Sequence, residues 1–213
     1  MVRANEIAYA YIKSRIQDGT FRPAQRLVEA QLVEDIGVSR NTIKKALMLL
    51  SREGLITIED NKGATIRSLD LGEVIEYYEI RIALEKIVIQ HAAKNITPSD
   101  LDEMAALLDR MKALSAQKDF DTYSECNRQF HNVIYRASQK PIIADIIQNI
   151  KTQLKRFQIK TMLVPGRADH SMEEHEAILN ALRNHDAVAA EKMIITHVSH
   201  VVDTIVQYKN LFF

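Results

Sequence analysis

Three histidines in this sequence of 213 residues fall on apolar faces of segments whose periodicity predicts helices. His131 follows Asn127 by one helical turn, whereas His175 and His197 each interrupt a run of aliphatic residues at helical spacing. Imidazole is the commonest side-chain ligand of transition metals, and burying several unpaired imidazoles would be costly. The pattern therefore predicts either one metal site shared by three helices or three core histidines, each satisfied separately.

Arg81 is a second polar residue on an apolar helical face, which it shares with Val74, Tyr78, Glu85 and Val88. A guanidinium that points inward needs an anion, and it binds planar carboxylates bidentately. Together with a metal, Arg81 suggests a small carboxylate effector, such as an organic or sugar acid. The alternatives are an intrahelical pair with Glu85 and a contact between subunits.

These residues belong to a stretch of six predicted helices separated by turn signals such as Thr97-Pro98 and Pro165-Gly166. The expected helical segments are residues 72–95, 98–117, 119–138, 141–163, 171–184 and 186–209. The stretch shows neither strand alternation nor an internal repeat. We therefore expect an all-helical bundle over residues 72–213, and a linker at 68–71 that contains neither Gly nor Pro.

Residues 1–67 predict a winged helix-turn-helix. A helix over residues 5–17 precedes two short helices that are joined at Gly37-Val38, where glycine permits the left-handed stop. The second short helix is capped by Ser39, and its aliphatic residues recur at helical spacing from Ile43 to Leu50. Its other face is basic and turned to solvent, as in a recognition helix or an ordinary helical hairpin.

Two alternating segments follow this helix, with a turn at residues 60–63, and they predict a hairpin. A hairpin directly behind a recognition helix is a wing, which favours DNA binding over the helical hairpin. The candidate DNA contacts on the helix and the wing tip are Ser39, Arg40, Asn41, Lys44, Lys45, Asn61, Lys62 and Gly63.

The stretch G-T-F-R-P-A-Q-R-L-V-E-A-Q-L-V-E-D-I-G-V-S-R-N-T-I-K-K-A-L-M-L-L-S-R-E-G-L-I, residues 19–56, resembles the winged-helix domain of GntR-family bacterial transcription regulators. The resemblance implies that Arg26, Arg40 and Lys44 meet DNA. Lys44 and Lys45 stand where the family usually has arginine and glutamate. An arginine can form two hydrogen bonds to one guanine, whereas a lysine is a mobile point charge. We therefore expect Arg40 to discriminate between bases more than Lys44 does.

Three further segments, N-R-Q-F-H-N-V-I-Y, M-E-E-H-E-A-I-L-N-A-L and A-A-E-K-M-I-I-T-H-V, are similar to the FadR-type (FCD) ligand-binding domain, in its shorter, VanR-like branch. Many members bind a divalent metal through an Asp-x-x-x-His pair and two further histidines. The matching positions are Asn127, His131, His175 and His197. The family also carries an arginine at the place of Arg81, near its effector cavity.

The resemblance thus implies a divalent metal cofactor, for which zinc or nickel would suit the histidines. Its affinity should be lowered, because Asn127 replaces the family's aspartate and lacks the carboxylate charge. His200, close to His197, is a reserve ligand.

Composition is consistent with a compact, mostly helical protein, with 46% hydrophobic residues, six Gly and four Pro. Cys126 is the only cysteine, so an internal disulfide and a thiolate metal cage are both excluded.

Residues 1–68 carry a net charge of +3 and the rest of the chain a net charge of −3. This distribution suits a protein whose N-terminal part contacts the phosphates of a nucleic acid. Because no long apolar run or signal peptide is present, we expect a cytoplasmic protein without a membrane partner.

These features predict a ligand-responsive transcription regulator, more often a repressor in this family, that acts as a homodimer on a palindromic operator. Dimerisation is expected because a single winged helix reads only a few base pairs. No enzymatic activity is expected. The rival interpretations are a metal-dependent enzyme, for which H-E-x-x-H and an evident general base are lacking, and an adaptor that has lost DNA binding.

Overall fold

The structure is a computed structural model that describes residues 4–59 and 62–213. The chain divides into two compact units, Met1–Asp70 and Leu71–Phe213. The fold class agrees with the prediction: a winged helix-turn-helix is followed by an all-helical bundle. None of the helices in the described part of the chain has the length and apolarity needed to span a bilayer.

The first unit combines three helices with a small antiparallel sheet. The helices are α1 (Ala4–Gln17), α2 (Glu29–Ile36) and α3 (Arg40–Arg52). The strands are β1 (Arg26–Leu27), β2 (Ile56–Glu59) and β3 (Gly63–Ile66), in the order β1-β3-β2. The sequence predicted only the β2–β3 hairpin, because a strand of two residues is too short to show alternation. It also assigned Gly63 to the turn, whereas Gly63 pairs with Glu59 in the sheet.

Local sequence explains how α3 is placed. Gly37 ends α2 in the left-handed region, at φ 72°, where its backbone N–H bonds to the carbonyl of Val33. Ser39 caps α3, and its hydroxyl accepts the backbone N–H of Thr42 at 3.2 Å. Ile43 and Leu50 are fully buried in a core shared with α1 and the sheet. The apolar face of α3 is therefore fixed, and its other face is left in solvent.

The second unit contains six helices, as predicted. They are α4 (Leu71–Asn95), α5 (Pro98–Gln117), α6 (Phe120–Ser138), α7 (Pro141–Thr161), α8 (Arg167–Arg183) and α9 (Ala187–Gln207). Thr97 forms a capping box with Asp100 at the start of α5, and Asp119 and Asp186 cap α6 and α9. The predicted start of α8 at residue 171 was wrong. The helix begins directly after Gly166, which brings Arg167 into its first turn.

The core of the bundle is aliphatic and aromatic, and it includes fully buried Val88, Phe130 and Ile194. Several polar side chains of the bundle are nevertheless buried. They include Arg81 and Glu85 on α4, Asn127 and His131 on α6, Lys151 on α7, Arg167 and His175 on α8, and His197 on α9. Because burying a polar group without a partner is costly, this cluster needs a specific explanation.

Candidate DNA-binding surface and candidate metal centre

The solvent-facing side of α3 carries Arg40, Asn41, Lys44 and Lys45, all of which are exposed. Arg40 Nε lies 2.7 Å from Glu29 Oε2 on α2. Because the Arg40 side chain is 73% exposed, this ion pair is weak and can be exchanged for a phosphate or a base. Ser39 caps the helix at the same end, so its hydroxyl is already used by the backbone.

The sheet brings Arg26 close to the wing. Arg26 lies on β1 opposite Thr65 of β3, and its guanidinium is 3.8 Å from the place where a Cβ of Gly63 would be. Lys62 is exposed and pairs with Glu59 at 2.7 Å. The remaining predicted wing residue, Asn61, lies outside the described residues. Arg26 and Lys62 are thus exposed basic residues near Gly63. They come from segments of the chain that lie outside α3.

In the second unit, the helices bring His131, His175 and His197 together. One ligand nitrogen of each lies within 4.8 Å of those of the other two, and all three rings are buried. Nitrogens that bind one ion at about 2.1 Å can be at most about 4.2 Å apart, so only small side-chain rotations are needed to close the site. Burial also lowers the pKa of all three imidazoles, which keeps them neutral and able to donate lone pairs at pH 7.

His131 has no hydrogen-bond partner for either ring nitrogen among the residues that the structure describes, although both atoms are buried. A neutral imidazole carries one N–H donor and one lone pair, and leaving both unused in a core is unfavourable. Three separately satisfied core histidines do not fit this observation. A cation bound between the three rings would supply a partner for the lone pair of His131.

His175 is oriented by the backbone of its own helix. Its Nδ1 faces the carbonyl oxygen of Ser171, so Nδ1 carries the proton and Nε2 holds the lone pair. Nε2 lies 2.8 Å from Oδ1 of Asn127, which is also an acceptor. Two acceptors cannot hydrogen-bond to each other. The short distance is explained either by an Asn127 amide rotated by 180°, so that its NH2 group donates to Nε2, or by a cation that both atoms coordinate. The donor set of three imidazoles and one amide oxygen fits a borderline divalent ion.

His197 is oriented by Glu174, a residue that the sequence analysis missed. The Nδ1–H of His197 donates to Oε2 of Glu174 at 2.7 Å, which puts the lone pair of the neutral ring on Nε2. The same carboxylate accepts from Arg167 at 2.9 Å and from His200 at 2.7 Å. Burial alone would raise the pKa of Glu174, but the hydrogen bond from His197 and the charge of Arg167 lower it to about 2. Glu174 is therefore an ionised carboxylate that fixes a ligand histidine.

A signal for Glu174 was present in the sequence, in the segment M-E-E-H. Glu173 and Glu174 both precede His175, and periodicity gives no reason to choose between two neighbouring carboxylates. The structure places Glu173 in solvent and turns Glu174 toward α9. Likewise, His200 contacts Glu174 rather than joining the triad, so its predicted role as a reserve ligand has no geometric support.

Arg81 forms the intrahelical pair that the sequence left open as an alternative. Its Nε lies 3.1 Å from Oε1 of Glu85, and both side chains are almost fully buried. The same Oε1 accepts the hydroxyl of Tyr135 at 2.7 Å, and Lys151 approaches that hydroxyl at 3.4 Å. Burial and the nearby charge of Arg81 lower the pKa of Lys151 to about 7. Lys151 is a further buried basic side chain that the sequence did not single out, although it shares the buried face of α7 with Ile147 and Leu154.

A pocket in the second unit reaches these groups and is partly open to solvent. Its lining includes Arg81, Asn127, Arg167 and His197, together with Tyr123 and Ser171. The predicted effector residue and two of the four predicted metal ligands therefore share one cavity.

Comparisons with known proteins agree with this architecture. The family model described as "Bacterial regulatory proteins, gntR family" matches residues 4–66, and that of the FCD domain matches residues 76–200. The HTH-type transcriptional regulator YdhC of Bacillus subtilis is 27% identical over 193 residues, covering 90% of this chain and 86% of YdhC. The gluconate operon transcriptional repressor of the same species is 26% identical over 185 residues, covering 84% and 75% of the two chains.

Among solved structures, Escherichia coli McbR/YncC has the same fold, with a TM-score of 0.84 at 22% identity over 97% of this chain and 99% of McbR/YncC. A winged helix-turn-helix followed by an FCD domain defines a DNA-binding transcriptional regulator, and the relatives are regulators rather than enzymes. The chain belongs to the GntR family of bacterial regulatory proteins, within the subfamily that carries an FCD domain.

Proposed function

We propose that this regulator binds its operator under the control of a small carboxylate effector, which is held beside a divalent metal ion in the FCD domain. The observation that carries the proposal is the convergence of three neutral imidazoles, one of which, His131, lacks a partner among the described residues. Zinc and nickel both accept such nitrogen ligands. A bound ion of this kind would offer open coordination positions to a carboxylate.

The residues of this site have separate roles in the proposal. His131, His175 and His197 present lone pairs, and the amide oxygen of Asn127 is the fourth donor, weaker than the carboxylate usual in the family. Glu174 holds the ring of His197 through its Nδ1–H at 2.7 Å. The carbonyl of Ser171 holds the ring of His175 in the same way. Such outer contacts set the tautomer and orientation of a ligand histidine.

Arg81 is the proposed partner of the effector's carboxylate. Its Nε donates to Glu85, and the other nitrogens of the guanidinium carry four further N–H donors beside the cavity that Arg81 lines. Charge-assisted hydrogen bonds from a buried arginine are among the stronger polar contacts in proteins. One relative is named as the repressor of a gluconate operon, and gluconate is itself a carboxylate, which supports this ligand class.

On the DNA side, we propose that a homodimer binds a palindromic operator, with α3 in the major groove and the wing against the backbone. The proposed contacts on α3 are Ser39, Arg40, Asn41, Lys44 and Lys45. Arg26 and the wing residues Asn61, Lys62 and Gly63 complete the set. Because operator DNA lies in the bacterial cytoplasm, the protein would act there. Effector binding would change the relative placement of the two recognition helices, a coupling typically worth about 1–3 kcal/mol.

Metal analysis tests the site directly. Protein purified without chelators should contain about one equivalent of zinc or nickel, or should take it up on titration. His131→Ala should abolish stoichiometric binding, because it removes the only unpartnered ligand of the described triad. His170→Ala, which changes an exposed histidine, is the matched control and should retain the metal. Wild-type protein that neither contains nor takes up a metal would refute the metal site.

Duplex binding by Arg40 and Lys44 variants tests the DNA surface. Arg40→Ala should cost about 1–3 kcal/mol on the operator and little on random duplex, because a bidentate arginine contact reads a base. Lys44→Ala should weaken binding to both duplexes alike. Arg110→Ala, an exposed arginine of the second unit, is the control. Equal losses on both duplexes for Arg40→Ala would show that Arg40 contacts only phosphate.

A further inference from the structure

Arg167 has donors that the described part of the protein leaves without acceptors. It is the first residue of α8, only 6% exposed, and it lines the same cavity as Arg81. One terminal nitrogen donates to Glu174 at 2.9 Å, whereas Nε and the other terminal nitrogen are buried and have no hydrogen-bond partner among the described residues. These two nitrogens carry three of the five N–H donors of a guanidinium.

Glu174 cannot satisfy all of these donors. Its Oε2 already accepts from His197 and Arg167, and its Oε1 accepts from His200, so at most one of about four lone-pair positions is left for three N–H groups. A buried charged donor left without an acceptor is unfavourable. The orientation of Arg167 is therefore best explained by an anionic group that enters the cavity and accepts from it.

The charges around the cavity indicate how many negative charges such a ligand needs. Arg81 is balanced by Glu85, and Arg167 is balanced by Glu174. The proposed metal ligands add no negative charge, because three are neutral histidines and the fourth is Asn127. A divalent ion at this centre would therefore keep its two positive charges. Lys151, where it is protonated, would add to them. A ligand with two negative charges balances the site.

We infer that the effector is a dicarboxylate, with one carboxylate at the metal and Arg81 and the other accepting from Arg167. This inference rests on the proposed function, in which the first carboxylate already has its place. It adds a second anion subsite, built by the first turn of α8. Arg167 thus becomes the residue that selects diacids over monoacids of the same length.

Calorimetric titration of the full-length, zinc-loaded protein tests this inference with pairs of acids matched in carbon number. The pairs are malonate and propionate, succinate and butyrate, and glutarate and valerate. In at least one pair the diacid should bind wild-type protein about tenfold more tightly, or better, because a second charge-assisted contact is made. In Arg167→Gln, the ratio of the two affinities should fall to within about twofold.

The ratio separates a lost contact from a general disturbance, because a misfolded cavity would weaken both acids alike. Arg183→Gln, an exposed arginine at the other end of α8, is the matched control and should keep the wild-type ratio. Wild-type protein that binds each pair equally, or Arg167→Gln that retains the preference, would overturn the second subsite while leaving a carboxylate effector intact. If no acid of either kind binds the zinc-loaded protein, the carboxylate effector itself is refuted, and the dicarboxylate with it.

Discussion

Replacing Glu174 by glutamine should weaken both the second unit and its metal site. The Glu174 carboxylate is 9% exposed and holds His197, Arg167 and His200. Its pKa of about 2, against an ordinary value of 4.5, corresponds to roughly 3 kcal/mol in favour of the ionised form. Because Glu174→Gln removes that charge and leaves Arg167 buried without its counter-ion, we expect a loss of stability of roughly this size.

The assay is thermal and urea unfolding of the metal-free protein, followed by titration with zinc. A loss of about 3 kcal/mol should lower the melting temperature by roughly 6–12 °C. Zinc affinity should fall about 10- to 100-fold, as is usual when the carboxylate behind a ligand histidine is removed. The contribution of Glu174 to the free energy of unfolding should be present above pH 4.5, the pKa of this group in the unfolded chain. It should be lost as the pH falls toward 2, its pKa in the folded protein.

Glu173→Gln is the matched control, since it makes the same change at the neighbouring, exposed carboxylate. It should leave the melting temperature and the zinc affinity at their wild-type values. If Glu174→Gln behaved like Glu173→Gln in both measurements, the carboxylate would neither orient His197 nor neutralise Arg167. Glu174 would then have no part in the metal centre.

Three further predictions concern the ligand Asn127, the buried Lys151 and the core of the first unit. Asn127→Asp should raise zinc affinity by about tenfold or more in competition titrations, because it adds a carboxylate charge to the ligand set; unchanged affinity would place Asn127 outside that set. Between pH 7 and pH 9 the wild type should gain about 2 kcal/mol in urea unfolding, because the folded pKa of Lys151, about 7, lies below its ordinary 10.5 and the unfolded chain binds the additional proton. Lys151→Met should lose this gain, and a persistent pH dependence would assign it to another group. Leu50→Ala should cost about 2–5 kcal/mol in unfolding and weaken DNA binding, whereas a loss under 1 kcal/mol would show that α3 is not anchored by its core face.

Most of the secondary structure could be predicted from local chemistry. Helix ends are set by neighbouring residues, so they can be predicted from the sequence. Examples are the caps at Ser39, Thr97 and Asp119 and the left-handed end of α2 at Gly37. The start of α8 was misplaced because the segment after Pro165-Gly166 is polar and shows no apolar period. The strand β1 was missed because its pairing partner lies more than thirty residues away in β3.

The fold class, the helix α3 and the candidate metal ligands His131, His175 and His197 can all be predicted from the sequence, because each depends on periodicity or on a motif within one segment. How these residues are used depends on tertiary contacts. The tertiary structure joins three helices so that the imidazoles converge, pairs Arg81 with Glu85, and places Glu174 and Arg167 beside α9 and the cavity. Contacts of this kind depend on which turn of one helix faces which turn of another, and a single sequence does not encode that relation in any local pattern.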